Sequence, residues 1–159
     1  MSINRFQRIE ASWGYSGTPD RIKFTVDAPI FVLGFGLYGS MNDSAEYGVT
    51  IEIINFGSGQ ILAHRETSFM ADGTPRIFRV MFKEPVEIAS GLTYIASAKL
   101  KGAESHYGTK GLRRIVRQLA QHRVVYPQAV GQTQPSHSSS ASLPEITTAL
   151  LWKTAKYLK

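Results

Sequence analysis

Hydrophobic and polar positions alternate with a period of two in several short stretches of the first 112 residues. In residues 20–27, Ile22, Phe24 and Val26 share one face, and Arg21, Lys23 and Thr25 share the other. That is the pattern of a strand with one face buried. Residues 76–84 place Phe78, Val80 and Phe82 opposite Arg79 and Lys83, and residues 92–101 align Leu92, Tyr94, Ala96, Ala98 and Leu100. Residues 29–39, PIFVLGFGLYG, are apolar throughout, as a central strand covered on both faces would be. Residues 48–56 are rich in β-branched side chains, and the GSG at 57–59 turns them into QILAHRE, which predicts a hairpin. Pro29, Pro75 and Pro85 stand where strands begin or end and a missing N–H is tolerated. Five to seven strands at intervals of 8–12 residues predict an all-β sandwich, with the strand aromatics in its core.

The pattern changes after Gly111. Leu112, Ile115, Val116 and Leu119 recur at helical spacing and predict a short amphipathic helix over residues 112–123, with a basic polar face. Residues 127–144 are rich in Ser, Gln and Pro and read as a flexible segment. Residues 146–159 are expected to form a second short helix along Leu150, Leu151, Ala155 and Leu158. Thirteen of the 14 glycines precede residue 112. The chain therefore divides into a β domain over residues 1–114 and a divergent tail, partly helical or disordered, over residues 115–159.

Charge follows the same division. The chain carries a net charge of +6. Residues 1–112 hold 11 basic and 11 acidic side chains, so the excess lies entirely in the last 47 residues, where seven basic residues face one acid, Glu145. A basic tail permits contact with nucleic acid or an acidic surface, although recognition of this kind normally uses a clustered face on a folded module. Cysteine is absent, which excludes disulfides, a thiol nucleophile and thiolate metal ligation. No apolar run reaches the roughly 18 residues of a membrane span, and the first ten residues lack a signal-peptide core. The expected location is cytoplasmic, away from membranes.

Candidate chemistry is sparse. GFGLYG at 34–39 matches the dinucleotide fingerprint GxGxxG, but that chemistry needs a helix opening at the third glycine to hold the pyrophosphate. Here a polar turn and another strand follow. Asn42-Asp43-Ser44 fits the N-glycosylation acceptor, which has meaning only in a secreted protein. His64, His106, His122 and His137 are scattered without metal-ligand spacing, and no nucleophile–base–acid or paired-carboxylate arrangement stands out. No catalytic residue, metal or cofactor is expected. Three glycine- and aromatic-rich turns remain: WGYSGT at 13–18, GLYGS at 36–40 and SHYGTKG at 105–111. Rigid loop aromatics suit protein recognition because they bring large contact area at low entropic cost. The expected partner-binding residues are Trp13, Tyr15, Tyr38, His106, Tyr107 and Lys110, on one shared rim. The competing reading has Trp13 and Tyr38 capping the core.

Read in order, these turns resemble the PHR domain. Residues 4–40, NRFQRIEASWGYSGTPDRIKFTVDAPIFVLGFGLYGS, are similar to the opening of that module; FRVMFKEPVEI at 78–88 and LKGAESHYGTKG at 100–111 are similar to its later blocks. The nearest likeness is to the branch in which a BTB/POZ domain and a BACK region precede the PHR domain, and a more distant one is to the Pam/Highwire ubiquitin ligases. The resemblance implies an antiparallel β-sandwich of jelly-roll type without a catalytic centre. It also implies a protein-interaction role: in the BTB branch the BTB domain docks a cullin-RING ubiquitin ligase and the PHR end selects the substrate. The expected partner is thus a ligase substrate or scaffold protein. The chain opens at Met1 without a BTB domain, so on this reading it would not recruit a cullin by itself. From about residue 115, IVRQLAQHRVVYPQAV replaces the further strands of the family, in the manner of a truncated or splice-variant product. The expectation is then either a destabilised product or a tail helix that covers the apolar face left by missing strands. A sugar-binding jelly roll is a third reading, resting on fold analogy alone.

Overall fold

The computed structural model of the chain describes the backbone of residues 2–14, 17–115 and 146–152. Ten strands follow one another in these segments: β1 (Ser2–Ile3), β2 (Phe6–Trp13), β3 (Asp20–Phe24), β4 (Ile30–Tyr38), β5 (Ser44–Asn55), β6 (Ile61–Asp72), β7 (Ile77–Ile88), β8 (Tyr94–Lys101), β9 (Ser105–Gly111) and β10 (Ile146–Trp152). Among the described residues there is no helix. The fold is an all-β sandwich. One layer has the order β3-β8-β5-β6 and the other β1-β10-β4-β7, with a two-stranded β2-β9 ribbon attached.

The period-two stretches are the strands, and their apolar faces meet between the layers. Val49, Ile51 and Ile53 of β5, with Ala96, Ala98 and Leu100 of β8, face Phe35 and Leu37 of β4 and Phe78, Val80 and Phe82 of β7. An aromatic stack crosses the gap: Tyr47 lies 5.2 Å from Phe69, which lies 5.2 Å from Phe78. Edge-to-face packing of Phe35 on Phe82 at 5.5 Å closes the same core further along. The β5–β6 hairpin turns where predicted, the Asn55 side chain accepting N–H bonds from Gly57 and Ser58.

Nine strands occur among the described residues up to Gly111, more than the five to seven expected. The unforeseen strands are the two-residue β1 and the pair β2 and β9, whose sequences alternate weakly. SHYGTKG, read as a turn, is strand β9, because β2 supplies partners for its backbone: Phe6 pairs with Gly111, Arg8 with Thr109 and Glu10 with Tyr107. A side chain at Gly108 would collide with the Phe6 ring, 2.3 Å from its Cγ, so this glycine lets the buried Phe6 lie across β9.

The tail departs from expectation wherever it is described. The predicted helix at 112–123 does not begin: Leu112 donates its N–H to the Arg5 carbonyl at 2.9 Å, prolonging the β2–β9 ladder, and residues 113–115 are not helical. Residues 116–123 lie outside the described residues, as does the segment 127–144. Residues 146–152, expected to be helical, form β10, inserted parallel between β1 and β4 with Ile146 opposite Phe31 and Leu150 opposite Phe35. Two causes act together. Ile146, Thr147 and Thr148 are β-branched and stiff in a helix, and the free side of β4 offers unpaired backbone groups. Removing residues 116–159 strips β10 from β4, and a fall in melting temperature of roughly 4 °C or more is expected in a calorimetric scan. An unchanged transition would mean that β10 contributes nothing to the sandwich.

Candidate functional site

At one end of the sandwich three separate segments meet around Ser105, the first residue of β9. Trp13, the last residue of β2, pairs with Ser105. Ser40, just past β4, bridges to the same residue in antiparallel fashion, and the His106 N–H donates to the Gly39 carbonyl at 3.0 Å. Ser105 is wholly buried and its hydroxyl donates to the His106 carbonyl at 2.9 Å. Behind this junction the buried Tyr47 hydroxyl donates to the Glu104 carbonyl at 3.0 Å, which ties the β8–β9 loop to the core. Burial raises the Tyr47 phenol above its usual range, against a smaller lowering by its hydrogen bond with Ser40.

The turn between β6 and β7 forms the flank. Asp72 accepts from the Thr74 hydroxyl at 2.6 Å and the Thr74 N–H at 3.2 Å, and pairs with Arg76 at 2.9 Å. The Thr74 hydroxyl, foremost, and the nearby Arg76 charge hold the exposed Asp72 carboxyl below its ordinary value of 3.8. Whatever support this carboxylate gives the turn is present above its unfolded pKa and lost as pH falls through the lower folded value. An NMR titration of Asp72 should show a midpoint below 3.8, and Thr74→Val should move that midpoint upward.

Exposed around the junction are Gly14, Asn42, Asp43, Ala103 and Glu104. His106 and Tyr107 are half-buried and, as neighbours on β9, point to opposite faces. The His106 Nε2 atom is buried with no hydrogen-bond partner. An unsatisfied buried polar atom is uncommon and is expensive to leave unpaired. Among the described residues no cluster of three or more His, Cys, Asp or Glu could hold a metal ion.

The PHR domain family model matches residues 4–147 of this chain. The chain belongs to the PHR domain family. The match runs past residue 114, the expected end of the β domain, and reaches the start of β10. Human BTB/POZ domain-containing protein 6 is 42% identical over 122 residues, covering 72% of this chain and 22% of its own length. The zebrafish (Danio rerio) BTB/POZ domain-containing protein 6-A is 40% identical over the same span, and mouse BTB/POZ domain-containing protein 3 is 34% identical over 135 residues, covering 84% of this chain and 25% of its own. This PHR chain therefore spans about a quarter or less of the curated relatives it matches.

Set on this PHR fold, the six sequence-predicted residues divide. Trp13 is brought to the junction by its backbone, and His106 and Tyr107 stand directly beside it. Tyr15 lies outside the described residues. Tyr38 is not available to a partner: at the end of β4 it is only 1% exposed, although Ile77, its partner in the ladder, is exposed. Lys110 is exposed but sits five residues along β9 from Ser105, about 16 Å at strand rise. It adopts a left-handed backbone with φ 53°, near the pairing of Phe6 with Gly111, so it does not share the rim. Ser40, Glu104 and Ser105 were missed. Small or acidic residues in a glycine-rich stretch carry no periodic signal, and their roles arise only from the crossing of β2, β4 and β9.

Proposed function

We propose that this PHR domain is a protein-interaction module and that the junction around Ser105 is its recognition rim. The single observation supporting this most directly is the convergence of three distant glycine-rich segments on one buried serine, with an unsatisfied His106 Nε2 beside it. Such a rim offers exposed loop backbone, a half-buried imidazole and aromatic surface on a rigid sandwich, which is how recognition surfaces are commonly built. The relatives carry BTB/POZ domains by name. By that kinship the module is read as the substrate-selecting end of a cytoplasmic adaptor for a cullin-RING ubiquitin ligase, with the protein it grips as substrate or scaffold.

The test compares the intact chain with His106→Ala and Glu104→Lys, each fused to a cullin-binding BTB domain. Proteins captured by the wild-type fusion should acquire ubiquitin, and both rim variants should lose capture by at least about tenfold, equivalent to roughly 1.4 kcal/mol. Capture unchanged in both variants would remove the rim from the interface. Capture without conjugation would retain the module and reject the ligase role. Tail-driven contact with nucleic acid predicts instead a steep loss of binding between about 50 and 200 mM salt and no response to the rim variants.

A further inference from the structure

The outer face of the β3-β8-β5-β6 sheet has its charges sorted by strand. Its β3–β8 half carries Arg21, Lys99 and Lys101, and its β5–β6 half carries Glu46, Glu52 and Glu66. The register holds the halves apart: Lys99 pairs with Thr50 and Thr50 with Glu66, so Lys99 and Glu66 lie two strands apart, about 10 Å. None of Arg21, Lys99, Lys101, Glu46 or Glu66 is in an ion pair with another described residue. Glu52 meets His64 at 3.1 Å. Toward the β5–β6 turn the same face becomes apolar. Ile95, Ile54 and Ile61 stand in one row of the register, Ile61 is 52% exposed, and Phe56 beside them is 48% exposed with the Lys23 ammonium 3.7 Å from its ring centre.

We propose that this face binds a second copy of the chain. A two-fold axis parallel to the strands, between β8 and β5, lays β8 of one copy over β5 of the other and β3 over β6. That operation sets the basic half of each copy on the acidic half of its partner and brings the two apolar rows together, Ile95 over Ile54. One patch thus serves both copies, as an isologous contact requires. Two sheets can pack in this way about 10 Å apart. Four strands at about 4.8 Å by about eight residues at 3.3 Å give a face of roughly 500 Å² per copy. The total of about 1,000 Å² is at the lower limit of a specific interface, which makes the pair weak and salt-sensitive. This inference does not rest on the recognition rim: the face runs from Glu46 and Lys101 at the rim end of the strands to the apolar row at the other end.

Sedimentation equilibrium of the full chain tests it, from about 10 μM to about 1 mM, at low and high salt. Wild type should associate to a dimer, less so at high salt. Two charge-reversed variants, Glu46→Lys/Glu66→Lys and Arg21→Glu/Lys101→Glu, should each remain monomeric, with association weakened at least about tenfold. Mixed in equal amounts they should regain the dimer mass, because one face is then mainly basic and the other mainly acidic. This rescue also establishes that both variants are folded. A wild-type chain that stays monomeric throughout would overturn the proposal. So would variants that associate as well as wild type, which would place self-association elsewhere, or a mixture that fails to recover the dimer.

Discussion

Replacing Tyr38 with alanine is expected to lower the free energy of unfolding by about 3–5 kcal/mol, the usual range for emptying a buried aromatic position. In a chain of this size that corresponds to a drop in melting temperature of roughly 6–20 °C. The reason is placement: Tyr38 ends β4, is 1% exposed and pairs with Ile77 of β7. Tyr38→Phe keeps the ring and removes only the hydroxyl, and should lose no more than about 1.5 kcal/mol. Burial also raises the Tyr38 phenol above its ordinary value of 10.0. The folded chain therefore holds this proton more tightly than the unfolded one. That contribution is complete below pH 10.0 and is lost as pH rises toward the higher folded value, a loss that Tyr38→Phe abolishes. Denaturant unfolding of the two variants at neutral and alkaline pH checks all three expectations. An alanine variant of normal stability that lost its partner would return Tyr38 to the recognition surface.

The second large effect is expected at Gly34, where β4 and β7 touch backbone to backbone. A Cβ there would stand 2.2 Å from the Val80 carbonyl oxygen and 2.6 Å from the Met81 Cα, at an irregularity in the register between Val32 and Gly34. Neither obstacle is the end of a flexible side chain, so the strands themselves must separate. Gly34→Ala should be destabilising at the upper end of the overpacking range, about 3 kcal/mol, against a total stability of about 5–15 kcal/mol. Chemical denaturation checks it. A loss below about 1 kcal/mol would show that the two strands can part at little expense. GFGLYG, which contains Gly34, thus has a structural reason for its first glycine, and β4 is followed by a short turn and strand β5 where a nucleotide fingerprint needs a helix.

Much of the sandwich was legible beforehand, because one buried face imposes a two-residue period on β3, β7 and β8, and two buried faces make β4 continuously apolar. Where those conditions fail, the pattern fades. Strands β2 and β9 form a ribbon at the margin of the main layers, so Gln7, Arg8 and Glu10 are all exposed and no alternation advertises a strand. Residues 146–152 contain spacing compatible with a helix as well as β-branched residues compatible with a strand. The decision there belongs to β4, which lies dozens of residues away in the chain. The recognition rim was half legible: the three glycine-aromatic segments were identifiable, but not which of their aromatics face inward. Tyr38 and Tyr107 both sit in such segments, yet one is core and the other half-buried at the rim.

The order of residues alone determined that this protein is built of strands, carries no thiol chemistry, and has the blocks of a PHR domain, because periodicity, composition and motif are properties of neighbours along the chain. Tertiary structure alone decided that β10 enters beside β4, that Ser105 gathers three distant segments, and that basic and acidic side chains occupy opposite halves of one sheet. Each of these depends on which strands lie side by side. Strand pairing joins residues separated by as many as 147 positions, as between Ile3 and Leu150, and local pattern carries no record of such distances.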